Sequence, residues 1–171
     1  MPLMGHLPGG ARLYIQTERV QRWYNRMRDL HSGEYHELSR DMEVDEMLVF
    51  FIFCHHLKDW IIKETDIPKT EVENYVTNTL CLAICADIAN GTKHMGVDDN
   101  GSRRHGPRSG EDFRMHEAVA LTGENHDHVG GRIIILQDDG TEIDAFDIAT
   151  QCMEKCFEFL TAHPPSKKMS N

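Results

Sequence analysis

The chain has 171 residues, a formal net charge of −10 and a hydrophobic content of 40%, and its pI is about 5.5. The length predicts one domain with a substantial core, and the apolar content excludes a disordered chain. The acidity disfavours nucleic-acid binding driven by overall charge, although a local basic patch stays compatible with it. We expect a cytoplasmic protein, because no signal peptide or membrane-spanning segment is recognisable.

The amino-terminal third predicts an irregular arm followed by two helices. Residues 1–15 are rich in glycine and proline, so we expect the arm there. Thr17 is a suitable N-cap, and the apolar stripe after it predicts a first helix that ends near Leu30. A second helix is predicted over residues 41–64, apolar around most of its circumference, and Pro68 lies just beyond its end.

A third helix is predicted over residues 70–90 from its apolar stripe. Gly91 follows it and predicts a helix stop. The next stretch, residues 96–112, is polar and rich in glycine. It is too long for a simple connection, so we expect it to be either functional or mobile.

The carboxyl-terminal part predicts a β-hairpin and one more helix. Strands are predicted over residues 132–136 and 141–145, on either side of an Asp-Asp-Gly turn. Residues 117–121 predict a further short strand. A last helix follows the hairpin and begins at Asp147 or Thr150.

These elements predict an α+β fold. We expect an antiparallel helical bundle of three long helices plus a carboxyl-terminal helix, with the β-hairpin inserted before the last helix. The connections between the first three helices are short, which is why neighbouring helices should run antiparallel. The single domain is predicted over residues 16–163, and residues 164–171 predict a disordered tail.

Polar side chains interrupt the core stripe of the second helix. His55 and Asp59 lie four residues apart between apolar residues, and His56 belongs to the neighbouring stripe. Burying ionisable groups is costly unless they are paired, hydrogen-bonded or bound to a metal. We therefore take His55 and Asp59 as candidate ligand-binding residues and His56 as a candidate catalytic residue.

A second polar cluster continues the core stripe of the third helix. Asp87, Asn90 and His94 have helical spacing, so they share one face if the helix persists to His94. In a general acid–base site His94 would transfer protons, Asp87 would orient it and the adjacent Lys93 would offset negative charge. Asn90 completes this candidate catalytic set.

Three interpretations of the two clusters stay open. A hydrogen-bonded structural layer is the simplest, because buried polar groups are usually satisfied in this way. A metal site is the second, since a histidine and a carboxylate four residues apart can share an ion, and the acid–base site is the third. Antiparallel neighbours place the clusters at opposite poles of one chain if the helices pack along their full lengths. A joint site would then need a homodimer that stacks one pole on another, or a long unequal overlap of the two helices.

The segments HHLKDW and DIANGTKH, within residues 42–95, resemble those of small uncharacterised bacterial proteins. The stretch Asn90-Gly91-Thr92-Lys93-His94 is also similar to the Asn-x-x-x-His part of HEPN domains. This resemblance implies a four-helix bundle and a ribonuclease activity, often in bacterial toxin or antiviral systems. The HEPN pattern also contains an arginine followed by four to six residues and then the histidine, and this chain has no arginine in that position before His94.

Arg103, Arg104 and Arg108 form a basic loop in an otherwise acidic protein. We assign them as candidate ligand-binding residues for RNA or another phosphate-bearing ligand. The alternative is a solvated surface loop, because loops commonly concentrate charge.

The five cysteines fall on three predicted helices. Cys54 lies on the second, while Cys81 with Cys85 and Cys152 with Cys156 form pairs four residues apart on the third and the last. Such a pair does not easily form a disulfide, but it can supply two thiolates to a metal. We favour the interpretation of all five as buried small apolar residues in a reducing compartment.

The leading hypothesis is a HEPN-like bundle protein that binds or cleaves RNA or another phosphate-bearing ligand, as a homodimer. A non-catalytic protein-interaction module with a structural polar core layer is one alternative, and a metalloenzyme with His and Asp ligands is another. We expect no bound metal, no cofactor and no membrane partner. The chain has no Walker loop, dinucleotide-binding glycine motif or HExxH motif, which disfavours those enzyme classes.

Overall fold

A computed structural model of the chain describes residues 11–33, 39–94, 113–122, 126–137 and 140–164. The α+β class and the hairpin before the last helix are confirmed. Within the described ranges the elements are, in chain order, α1 (Ala11–His31), α2 (Arg40–Glu64), α3 (Lys69–Asn78), α4 (Leu80–His94), β1 (Phe113–Thr122), β2 (His126–Leu136), β3 (Glu142–Asp144) and α5 (Ala145–Ala162).

Helix α2 is central and packs against α1, α4 and α5. It runs opposite to α1, because contacts that come later along α1 come earlier along α2. Gln16 donates a hydrogen bond to the Phe53 carbonyl at 3.0 Å, and farther along α1 Arg26 forms an ion pair with Glu46. The short connection between these helices therefore gives the antiparallel pair that the sequence predicts.

Helix α5 closes the bundle against α1. The hydroxyls of Tyr24 and Thr150 lie 3.1 Å apart, and the ring of His31 stacks on Phe146 with 4.6 Å between centroids. Residue numbers rise along α1 as they fall along α5, so these helices are also antiparallel. The predicted antiparallel bundle is confirmed, with α5 as its last member.

Helix α1 begins earlier than predicted, at Ala11. The irregular arm predicted over residues 1–15 is wrong for residues 11–15, and Thr17 lies inside the helix, where its hydroxyl donates to the Tyr14 carbonyl at 2.8 Å. Leu13 gives the physical reason, because its side chain is buried in the core and holds the first turn in place. Residues 1–10 lie outside the described ranges.

The predicted third helix is two helices, α3 and α4, with one extended residue between them. Thr79 has φ −104° and ψ 108°, which interrupts the helical backbone. Residues 77–79 are Thr-Asn-Thr, and these side chains favour the helix weakly because they lose rotamer freedom or compete for backbone hydrogen bonds. The prediction of one helix over residues 70–90, and hence of three long helices before the hairpin, is wrong for this reason.

The three strands form one antiparallel sheet in the order β1-β2-β3. The predicted hairpin corresponds to β2 and β3, with Ile135 opposite Ile143, and Gly140 turns the chain with a φ of 83°. The short strand predicted over 117–121 lies within β1, which pairs with β2 along its length. Strand β2 packs the sheet onto α1 and α5.

The core lies where the helices meet the face of β2. The large, fully buried side chains of α2, α4, β2 and α5 fill it. The largest of these core side chains include Phe50, Phe51, Met47, Leu57, Ile84, Ile88, Ile135, Met153 and Leu160.

Among the described residues no helix is both long and apolar enough to cross a membrane.

Candidate functional site

Helix α4 carries the second polar cluster to its carboxyl end. The helix continues through Gly91 to His94, so the predicted stop at Gly91 is wrong. Residues 81–89 are all buried, and this packing offsets the helix cost of a glycine, which is about 1 kcal/mol. The backbone therefore gives Asp87, Asn90 and His94 the spacing of one helix face.

Asp87 is fully buried on that face, with an exposed fraction of 0%. It takes part in a hydrogen-bonding or electrostatic interaction within the protein. Asn90, almost one turn farther on, is half-buried, and the Thr92 hydroxyl donates to the Ile88 carbonyl at 2.9 Å. Asn90 thus reaches solvent, whereas Asp87 can act only on its protein neighbours.

The cluster on α2 lies closer to solvent. His56 and Asp59 are exposed, and the Asp59 carboxylate is 3.9 Å from the Nζ of Lys58. Lys58 itself pairs with Glu73 of α3 at 2.8 Å. His55 is half-buried, and its ring centroid lies 6.3 Å from that of His56. His56 and Asp59 are therefore the members of this cluster that a ligand can reach directly.

The far members of the two clusters, Asp59 and His94, do not come together within one chain. The Cys85 thiol of α4 donates to the Phe51 carbonyl of α2 at 3.4 Å, whereas Lys58, farther along α2, pairs with the earlier helix α3. The helices are therefore antiparallel. Asp59 lies eight residues beyond Phe51 and His94 nine beyond Cys85, so a rise of about 1.5 Å per residue separates them by about 25 Å along the bundle. A site that joins Asp59 to His94 would need a second copy of the chain.

Arg103, Arg104 and Arg108 lie outside the described residues, between α4 and β1. The described part of Lys93 and His94 is their helical backbone. Any function proposed for these five basic residues therefore depends on their positions in the sequence and on the course of the α4 backbone.

All five cysteines of the chain are buried free thiols. The Sγ atoms of Cys54, Cys85 and Cys152, from α2, α4 and α5, lie within 4.8 Å of one another; we call these three the thiol triangle. The Cys152 thiol donates a hydrogen bond to the carbonyl of Cys81 at 3.2 Å, and Cys156 lines a cleft together with Cys54 and Cys85. Among the described residues the triangle is the only group of three or more such ligand atoms so closely spaced, and it contains no histidine or carboxylate.

Burial and mutual hydrogen bonding shift the pKa values of these thiols in opposite directions. Burial raises the pKa of Cys85, but hydrogen bonds from Cys152 and Cys54 outweigh it and lower that pKa to about 6. For Cys152, burial and its hydrogen bonds to Cys54, Cys81 and Cys85 raise the pKa well above its usual range. Burial thus raises the pKa of each thiol in the triangle, and only for Cys85 is the overall shift downwards.

A cleft of about 400 Å³, including the solvent at its mouth, lies beside the thiol triangle. His55 of the α2 cluster therefore faces the same space as three of the cysteines. The polar lining consists of His55, Lys58 and Tyr75. The thiols are Cys54, Cys85 and Cys156, and the apolar lining includes Val72, Val76, Leu82 and Phe159.

The sequence predicted that the cysteines are core residues, and it did not predict the triangle. The triangle requires three helices to converge, which the spacing within each helix does not reveal. The available signal was the repeated spacing of four, in Cys81 with Cys85 and in Cys152 with Cys156, because it puts both members of each pair on one helix face.

Comparison of the chain with protein-family models, with curated proteins and with solved structures finds no match. The function of the chain is therefore inferred from its own residues.

Proposed function

We propose that the carboxyl-terminal face of α4 binds a phosphate-bearing ligand, with RNA as the leading class, and that His94 acts there in general acid–base catalysis. The observation that carries this proposal is the continuity of α4 to His94. Helical spacing then aligns Asp87, Asn90 and His94, with a buried carboxylate at one end of the row and a histidine at the other. The similarity to HEPN domains favours the same reaction class.

Each residue of the proposed site has a separate task. Asp87 is fully buried, so it would be a positioning residue that does not touch the RNA. Asn90 is half-buried and would hydrogen-bond the ligand. Lys93 would offset charge on the phosphate, and His94 would pass protons between the attacking and leaving oxygens.

The basic loop would supply the remaining phosphate contacts. Arg103, Arg104 and Arg108 follow α4 in sequence, so the chain continues from the proposed site into this positive segment. The net charge of −10 opposes a broad electrostatic footprint. We therefore expect few phosphate contacts and a substrate that is recognised locally.

A homodimer is part of the proposal, because a second copy of the chain is needed to bring Asp59 of α2 and His94 of α4 to one site. In that arrangement His55 and Asp59 would contact the ligand, and His56 is the alternative proton-transfer residue. A cytoplasmic location is also proposed, supported by five free thiols in one small domain.

His94→Ala and His56→Ala form a matched pair for testing the assignment. We expect His94→Ala to abolish cleavage of a mixed RNA pool without changing the unfolding temperature, while His56→Ala, on the exposed side of α2, keeps it. Replacing Arg103, Arg104 and Arg108 together by alanine should weaken RNA binding and flatten its salt dependence. Loss of cleavage in His56→Ala alone would move the site to α2.

A non-catalytic interaction module is the second candidate, favoured by the complete burial of Asp87. In that case Asp87 satisfies a buried partner, and Asp87→Ala should lower the unfolding free energy by about 1–3 kcal/mol because the partner loses its hydrogen bond or charge. Denaturant unfolding and RNA cleavage measured on the same variant separate the two candidates. Lost cleavage with unchanged stability supports the catalytic role, whereas lost stability in a wild type without RNA activity supports the interaction module.

A further inference from the structure

The thiol triangle is built from three different helices in the centre of the bundle. Cys54, Cys85 and Cys152 have exposed fractions of 3%, 1% and 0%, and their sulfur atoms lie within 4.8 Å of one another. Buried cysteines ordinarily act as small apolar residues, and that role requires no contact between thiols. Here the Cys152 thiol also donates to the Cys81 carbonyl at 3.2 Å, and Cys156 lines a cleft together with Cys54 and Cys85.

The spacing of the triangle suits the coordination of one ion. Zinc–sulfur bonds of about 2.3 Å place coordinated sulfurs about 3.8–4.0 Å from one another. A triangle with sides of at most 4.8 Å closes onto such an ion if each sulfur moves inwards by about 0.5 Å, which a small side-chain rotation supplies. Because all three ligands are sulfur, the site selects a thiophilic ion.

Metal binding needs the sulfurs as thiolates. The charge of a bound cation lowers the pKa of each coordinating thiol and displaces its proton. Each thiol proton is released to solvent, and no oxidation state changes.

Two neighbouring features complete the site. Cys156 lies outside the 4.8 Å triangle but lines the adjoining cleft with Cys54 and Cys85, so it is the candidate for a fourth sulfur. The amino end of α4 is also near, because the Cys152 thiol donates a hydrogen bond to the carbonyl of Cys81, in the first turn of that helix, at 3.2 Å. The positive end of this helix offsets part of the negative charge of the thiolates.

We propose that Cys54, Cys85 and Cys152 bind a thiophilic metal ion, with Zn²⁺ as the expected occupant and Cys156 as the fourth ligand. The ion joins α2, α4 and α5, so its role is to stabilise the bundle. This site is separate from the proposed RNA site on α4, and it replaces the expectation from the sequence that the chain holds no metal.

Cobalt substitution tests the proposal. Reduced protein titrated with Co²⁺ without oxygen should develop thiolate-to-cobalt charge-transfer absorption that saturates at one ion per chain and disappears when Zn²⁺ displaces it. Cys85→Ser should lose this absorption, while Cys81→Ser, which removes a buried thiol outside the ligand set, should keep it. No thiolate band in the wild type, or equal loss in both variants, overturns the proposal.

A measurement on the wild type keeps the test independent of how the variants fold. Zn²⁺ should raise the unfolding temperature of the reduced protein. It should also protect Cys54, Cys85, Cys152 and Cys156 from alkylation during partial unfolding in urea, while Cys81 stays reactive. Equal alkylation of the triangle with and without Zn²⁺ overturns the metal site and leaves the RNA proposal untouched.

Discussion

Asp144 joins the sheet to the bundle, and the cost of replacing it follows from two contacts. Its carboxylate accepts the Phe146 N–H at 2.8 Å as the N-cap of α5, and it accepts the Nε of Arg132 at 2.8 Å from β2. A lost N-cap costs about 0.5–2 kcal/mol. The Arg132 side chain is 48% exposed, so the ion pair contributes only about 0.2–1 kcal/mol. We expect Asp144→Ala to lower the unfolding free energy by about 1–3 kcal/mol.

Asp144→Asn is the matched control, because asparagine caps a helix about as well as aspartate but carries no charge. It should cost less than about 1 kcal/mol, the contribution of the ion pair alone. Urea unfolding followed by far-UV circular dichroism measures both variants, and in a chain of this size each kcal/mol also lowers the unfolding temperature by about 2–4 °C. An asparagine variant as unstable as the alanine variant would refute the capping argument.

Three further stability predictions follow from the packing and are checked by the same urea unfolding. Tyr24→Phe removes the hydroxyl that lies 3.1 Å from Thr150 and should cost about 0.5–1.5 kcal/mol; a variant as stable as the wild type would mean that this hydrogen bond contributes nothing. Phe50→Ala leaves a cavity at a fully buried position and should lower the unfolding free energy by about 3–5 kcal/mol. Leu80→Ala is its control, because Leu80 is 59% exposed, and it should change the unfolding free energy by less than about 0.5 kcal/mol. Gly140→Ala should cost about 1–2 kcal/mol through its positive φ alone, because no atom lies within 4 Å of the added Cβ, and an unchanged stability would contradict that reasoning.

The sequence predicted those parts of the fold that depend on local periodicity. The second helix was predicted over 41–64 and is α2, Arg40–Glu64, because its apolar run ends at a proline-containing break. The turn at Gly140 and the antiparallel packing were predicted for similar reasons. The interruption at Thr79 and the passage through Gly91 were not predicted. The first comes from the weak helix formers of residues 77–79, and the second from the buried packing of residues 81–89.

The residues of the candidate site could be predicted from the sequence, but which of them lie together in the structure could not. Helical spacing identified Asp87, Asn90 and His94 as one row, and the continuity of α4 is consistent with that row. Periodicity did not show that His55 faces a cleft lined by Cys54 and Cys85, because that arrangement depends on how α2, α4 and α5 converge. Spacing within one helix describes its faces, and only the tertiary packing says which faces meet.

The central claim, that the carboxyl-terminal face of α4 acts on a phosphate-bearing ligand, is tested most directly with the wild-type protein and RNA. Micromolar protein is mixed at low salt with an RNA pool of mixed sequence, and binding and cleavage are followed by gel electrophoresis. The account predicts a shifted or shortened RNA, with an effect that weakens as salt is added. RNA that is neither shifted nor cut under these conditions would contradict it and leave the interaction module, with Asp87 as a structural residue, as the better description.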